Sequence, residues 1–180
     1  MGIVLETDSD KQVHQVWRQE QANSCAIASL WMARSKARQM SFKETEWELA
    51  WRTYHQVVRG MILYPKPPPP ASLDPTAFQP NQDTFGNMFA SAGTYMSQVA
   101  NALRMEGLHI GYLSPFKAGT SVIPAFLSER TPAIVLLGWY HGDTRNGGHF
   151  IVAARTARNG RIVYLDPWYG LSEQSASPAY

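Results

Sequence analysis

The stretch GGHFIVAARTARNGRIVYLDPW, Gly147 to Trp168, contains two β-rich runs, HFIVAAR and RIVYLDP, joined by TARNG. Asn-Gly is the preferred pair of a tight hairpin turn, so Asn159 and Gly160 predict an antiparallel hairpin. His149 then opens one strand and Asp166 closes the next, which puts both at the same end of the ladder. His149 stands ten residues before Asn159, and Asp166 six after Gly160, so the two cannot be strict cross-strand partners without a bulge or an asymmetric turn, yet their side chains can still meet near that strand end. Gly147 and Gly148, just before the histidine, suit a place where another backbone passes close.

Upstream, PAIVLLGWY (132–140) is a third β-rich run, joined to the second by the polar, glycine-rich HGDTRNGG. The C-terminal third is therefore expected to be an antiparallel meander. LHIGYL (108–113) is a short strand candidate, and a brief helix is expected around SVIPAFLSE (121–129).

The first half has a different period. Ala26, Leu30, Ala33 and Ala37 recur at i, i+4, i+7 and i+11, with Ile27 and Trp31 widening the stripe. With Asn23 or Ser24 as N-cap, they predict a helix over about 25–39, with Arg34, Lys36 and Arg38 outside the stripe. A capping box, Ser41 with Glu44, precedes Trp47, Trp51, Tyr54 and Val58, and predicts a second helix over about 42–59, stopped by Gly60. Tyr95, Val99, Ala102 and Leu103 predict a third, ended by Gly107. Between them the four consecutive prolines of 61–82 exclude helix and central strand and mark a long surface loop. Helices first and sheet second argue for an α+β fold in a single domain, 1–180, with a helical half to about residue 107 and a sheet half after it.

With 180 residues, 44% hydrophobic, the chain is long enough for one packed core. Sixteen basic against fourteen acidic residues, with no basic run, make nucleic acid a poor partner. No segment is apolar for long enough to span a bilayer, and MGIVLETDSDKQVHQ lacks the cationic and apolar parts of a signal peptide, so a cytoplasmic protein without a membrane partner is expected. One cysteine excludes an internal disulfide and any thiolate-rich zinc site. His14, His55 and His109 have no paired ligand spacing, so neither a metal nor a cofactor is expected.

That cysteine, Cys25, opens the first helix. A thiol is a useful nucleophile only as thiolate, and a helix N-terminus favours that anion, most of all beside an imidazolium. A lone cysteine is as readily a small buried hydrophobe. The combination with His149 and Asp166 is what singles it out: the acid orients the imidazole and the imidazole serves the thiol. His141, in the polar loop, is a weaker candidate for the base.

The pattern Q-x5-C-x-x-A-S from Gln19 to Ser29, with GGHF and DPW-x-G near the other end, resembles the papain-like cysteine peptidases. The resemblance is to their compact bacterial branch, the bacteriocin-processing peptidase domains and the plant-pathogen effector proteases. It implies a papain-like fold with the nucleophile helix packed on a C-terminal antiparallel sheet. It also implies that Cys25 is the nucleophile, His149 the general base and acid, Asp166 the orienting residue and Gln19 an oxyanion donor, with Gln21 a lesser competitor. Trp139, Trp168 and Tyr169 are candidates to line the cleft or shield the His149–Asp166 bond, and core packing accounts for them equally well.

Several positions depart from the family. Papain's own flanking residues are absent around Cys25, and Ala26 stands where the compact branch often has glycine. The expected function is a cysteine peptidase working through a thioester on a protein or peptide substrate, as a bacterial effector or toxin delivered to a host target protein. Glutamine deamidation or transglutaminase-like acyl transfer uses the same triad, and a non-catalytic module presenting PKPPPP is the reading from another class.

Overall fold

The computed structural model describes residues 2–60, 93–111 and 127–175, together with Leu63, Lys66, Phe85 and Phe89. The expected proline-rich loop and most of the expected helix at 121–129 lie outside the described residues. At 108–111, the described part of the expected LHIGYL strand, the chain is not in a strand.

The described residues form an α+β arrangement of three α-helices and two antiparallel sheets. A hairpin of β1 (Ile3–Thr7) and β2 (Val13–Trp17) comes first, followed by α1 (Cys25–Arg38), α2 (Glu46–Thr53) and α3 (Met96–Met105). A four-stranded meander follows: β3 (Ala133–His141), β4 (Thr144–Thr156), β5 (Ile162–Asp166) and β6 (Gly170–Gln174).

Helix α1 is the centre of the molecule. It packs on β4 and β5 of the meander, on β2 of the hairpin and on α2 and α3. Every residue from Cys25 to Ser35 is buried, so the helix has no solvent face over that span. Burying Ile27, Leu30, Trp31 and Met32 is worth about 1.5–3 kcal/mol each, which outweighs the absence of any side-chain cap at its N-terminus. Trp17 meets Trp31 edge to face at 4.8 Å and joins the hairpin to this core.

Arg34, expected outside the apolar stripe, is 1% exposed. Its guanidinium lies 3.7 Å over the Phe42 ring and pairs with Glu44 and Glu106, and Arg52 pairs with the same two acids. This four-membered network ties α1, α2 and the end of α3 together, and it explains why the second helix starts later than expected. Glu44 is used by the arginines, and the capping box is formed four residues on, by Thr45 and Glu48. After Thr53 the helix widens into a π-turn at Tyr54–Val58, and Gly60 follows at φ +63°.

The N-terminal hairpin corrects the expectation of a wholly helical first half. In β1 Ile3, Val4 and Leu5 are exposed in succession, and β2, VHQVW, exposes Val13 and buries His14, so neither run shows in sequence the apolar–polar alternation that marks a half-buried strand. Tertiary contacts hold the hairpin in place, with β2 against β5 and β6.

In the meander, HGDTRNGG is the tip of one long hairpin and not a separate loop. β3 runs to His141, β4 starts at Thr144, and Gly142 (φ +58°) takes the turn position that glycine favours. The Asn159-Gly160 turn forms as the sequence predicts, with Gly160 (φ +79°) donating to the Ala157 carbonyl. Part of the asymmetry comes from β4: Ala153 pairs with Tyr164 but Arg155 with Val163, so Ala154 is a bulge, and with Val152 opposite Leu165 the His149 and Asp166 side chains meet diagonally.

Candidate active site

His149 enters the site on β4, opposite Leu137 of β3, and Asp166 ends β5. Both are 1% exposed. His149 Nε2 lies 2.9 Å from Asp166 Oδ1, the bond that the hairpin and its bulge make possible. The same carboxylate oxygen accepts the backbone N–H groups of Trp168 at 2.6 Å and Tyr169 at 3.1 Å. These amides favour the ionised acid, so Nε2 carries the proton and Nδ1 is the nitrogen left for another partner.

The thiol of Cys25, buried at the N-terminus of α1, lies close to the same ring. Nδ1 makes no well-aligned hydrogen bond. The thiol is nonetheless near enough to act on the ring. Burial pushes the imidazole pKa down, but the hydrogen bond to Asp166, the Cys25 thiol and the charges of both outweigh it and lift the pKa to about 9. Trp168 stacks on the imidazole at 4.3 Å and Trp139 stacks on Trp168 at 5.2 Å, which keeps water from the His149–Asp166 bond.

Cys25 opens onto a cleft of about 410 Å³, walled by Asn23 on one side, Gly93 and Thr94 before α3, and Trp139, Gly147 and Trp168 from the meander. At Gly147 an added Cβ would meet the Trp139 ring at 3.0 Å, so this glycine lets the indole lie flat over the strand. Tyr169 is 68% exposed and touches Trp168 edge to face.

Gln19 differs from its expected role. Its side-chain N–H groups are given to the carbonyls of Gln21 at 2.7 Å and Ala22 at 3.0 Å, so the amide braces the loop before Cys25. To act as an oxyanion donor it would have to release one of them. Its backbone N–H donates to the Pro167 carbonyl at 3.1 Å, and Arg18 Nη1 to the Trp168 carbonyl at 2.8 Å, fixing the Asp166 turn to the chain that leads into α1. Gln21 is exposed, and His141 is exposed at the hairpin tip and is not part of the cleft wall.

Two contributions escaped the sequence reading, where Ser29 is only the end of the Gln19–Ser29 pattern and is given no contact. Ser29, fully buried, donates from Oγ to the Phe150 carbonyl at 3.0 Å. Its signal is a hydroxyl inside an apolar helix stripe. Glu46, at the start of α2, is buried beneath the loop before Cys25, and in sequence it reads as an ordinary first-turn helix acid.

Among the described residues no three His, Cys, Asp or Glu side chains are grouped to hold a metal ion. No helix among them is long and apolar enough to cross a membrane. No family model, no curated protein and no solved structure matches the chain.

Proposed function

We propose that the protein is a papain-like cysteine peptidase that cleaves peptide bonds through Cys25, His149 and Asp166. The observation that carries this reading is the buried 2.9 Å bond between His149 and Asp166, with the Cys25 thiol acting on the same imidazole. Supporting it are the order of parts, nucleophile at the N-terminus of a central helix and base then acid on adjacent antiparallel strands, and an open cleft beside the thiol.

In the reaction the Cys25 thiolate attacks the substrate carbonyl carbon, and the carbonyl oxygen takes the negative charge. The backbone N–H at the start of α1, uncapped by any side chain, receives it in this reading. The imidazolium of His149 gives its proton to the leaving amine as the C–N bond breaks, which leaves a thioester on Cys25. His149, now neutral, takes a proton from water as its oxygen attacks the thioester. Collapse releases the carboxylic acid, which gives its proton to solvent, and restores the thiolate and imidazolium. Asp166 keeps the proton on Nε2 throughout.

The test is a denatured peptide library incubated with the wild-type protein and with Cys25→Ala, read by mass spectrometry. New peptide termini with the wild type alone support the proposal. Intact peptides gaining about one dalton at glutamine would move the reading to deamidation on the same triad. No change in either form overturns the peptidase reading.

A further inference from the structure

The loop Glu20–Ser24 carries the chain into Cys25, and its Ala22 and Asn23 form part of the cleft wall. It has no regular structure of its own, so the thiol is only as well placed as the contacts that hold this loop. On one side stands Gly93 (φ +77°), where an added Cβ would lie 3.3 Å from the Asn23 carbonyl oxygen. On the other stands Glu46, 1% exposed. The Glu20 backbone N–H donates to both of its carboxylate oxygens, at 3.1 and 3.2 Å, and the Gln21 backbone N–H reaches it as well, with the Ser24 hydroxyl beside it. Ser24 is itself bonded to Gln21, through its hydroxyl and its backbone N–H, and its carbonyl accepts the Ile27 and Ala28 N–H groups of α1.

A carboxylate buried this deeply is costly unless donors converge on it. Here these donors all come from one short loop, and that loop ends at the candidate nucleophile.

We propose that Glu46 is a positioning residue for Cys25: its carboxylate holds the Glu20–Ser24 loop in the shape that presents the thiol and the first N–H groups of α1 to the cleft. The proposal rests on the reading of Cys25 as nucleophile and adds a control on it. Only the ionised carboxylate accepts from all of these donors, because protonation turns one oxygen into a donor facing N–H groups. Burial pushes its pKa up, the Ser24 hydroxyl and the backbone N–H groups pull it down, and the like charge of Glu20, facing it from the loop, adds to the rise, giving about 7. The loop is therefore fully held above neutral pH and loosens below it, while the His149 imidazolium persists to about 9.

The experiment is iodoacetamide alkylation of Cys25 against pH in wild type, Glu46→Gln and His149→Ala, with the amide resonances of Glu20 and Gln21 followed by NMR over the same range. In the wild type, the alkylation rate and both amide shifts should change with a shared midpoint near 7. Glu46→Gln, which keeps the shape but not the charge, should lose that step and react about tenfold more slowly at pH 8. If Glu46→Gln tracks the wild type across the range while His149→Ala is slow, the proposal is overturned and the nucleophile reading stands. If His149→Ala matches the wild type, the nucleophile reading falls instead. Should Glu46→Gln fail to fold, the wild-type amides decide alone: no titration near neutral pH overturns the proposal.

Discussion

Ser29 donates its hydroxyl to the carbonyl of Phe150 across the junction of α1 and β4, at 3.0 Å. Ser29 lies one helical turn after Cys25, and Phe150 is the residue after His149. One buried bond therefore fixes the height of the thiol's helix against the strand that carries the imidazole. Packing alone would allow the smooth Ala26, Ile27 and Leu30 face to slide by fractions of an ångström, whereas a directional bond does not.

Ser29→Ala should therefore do two things. Losing a buried hydrogen bond and leaving a carbonyl oxygen less satisfied costs about 1–2 kcal/mol, readable as a lower urea midpoint. A purely structural loss would stop there. A register role predicts in addition that Cys25 alkylation at neutral pH slows in the folded variant, and an unchanged alkylation rate would leave Ser29 with a structural part only.

The His149–Asp166 pair makes stability depend on pH in a definite sense. The folded pKa of His149 is raised from its ordinary 6.5 to about 9. The stabilisation is then fully present below about 6.5 and is lost as pH rises through 9. Asp166→Asn removes the charge that holds the imidazolium. Its deficit in urea midpoint relative to wild type should be widest near about pH 6 and should narrow toward about pH 9.5, and alkylation of Cys25 at pH 7 should fall by about tenfold or more. A deficit that does not vary with pH would show that the ring is neutral in the folded protein.

The elements legible in the sequence are those whose signal is local. The period of α1, the third helix with Gly107 as its stop, and the Asn159-Gly160 turn needed no knowledge of the rest of the chain. That His149 and Asp166 share one ladder end was legible too, but the bulge that helps them meet, at Ala154, has no mark among the apolar residues around it. Arg34 read only as lying outside the apolar stripe because its acids, Glu44 and Glu106, belong to other parts of the fold. The same network shifted the start of the second helix by withdrawing Glu44 from the cap. Gln19 stands at the expected spacing from Cys25, yet its amide turns to the local carbonyls of Gln21 and Ala22, a choice that spacing cannot reveal.

Gly170 closes the turn that aims Asp166. Its φ is +91°, and an added Cβ would lie 2.6 and 2.8 Å from the two carboxylate oxygens of Glu6 and 3.0 Å from Arg18 Nη1. Neither side chain is free to withdraw, since Glu6 accepts the Leu171 N–H at 2.7 Å and Arg18 holds the Trp168 carbonyl. Gly170→Ala should cost about 2 kcal/mol or more from backbone strain and these displaced contacts. Because Trp168 and Tyr169 donate to Asp166 from the same turn, the His149 pKa measured by NMR should fall with it. An unchanged pKa in a destabilised protein would separate the turn from the site.

Asp8 does for the N-terminal hairpin what Asp166 does for the site. Oδ1 accepts the N–H groups of Asp10 at 3.0 Å and Gln12 at 2.9 Å within the β1–β2 turn, while Oδ2 meets His14 Nε2 at 3.0 Å and pairs with Arg155 of β4. Burial pushes its pKa up, but His14, the Gln12 amide and Arg155 together bring it down to about 2, from an ordinary 3.8. A depressed acid contributes stability above its ordinary pKa and loses it as pH falls through the folded value. Asp8→Asn, which turns an amide N–H toward His14 or Arg155, should therefore cost about 3 kcal/mol at neutral pH. That cost should shrink as pH drops from about 4 toward 2, where the wild-type carboxylate is itself protonated. Because the hairpin packs on β5 and β6 and braces the Asp166 turn through Glu6 and Arg18, the variant should also slow Cys25 alkylation. Denaturation midpoints at pH 3 and pH 7 check the first claim, and a cost equal at both would mean that the carboxylate charge has no part in holding the hairpin.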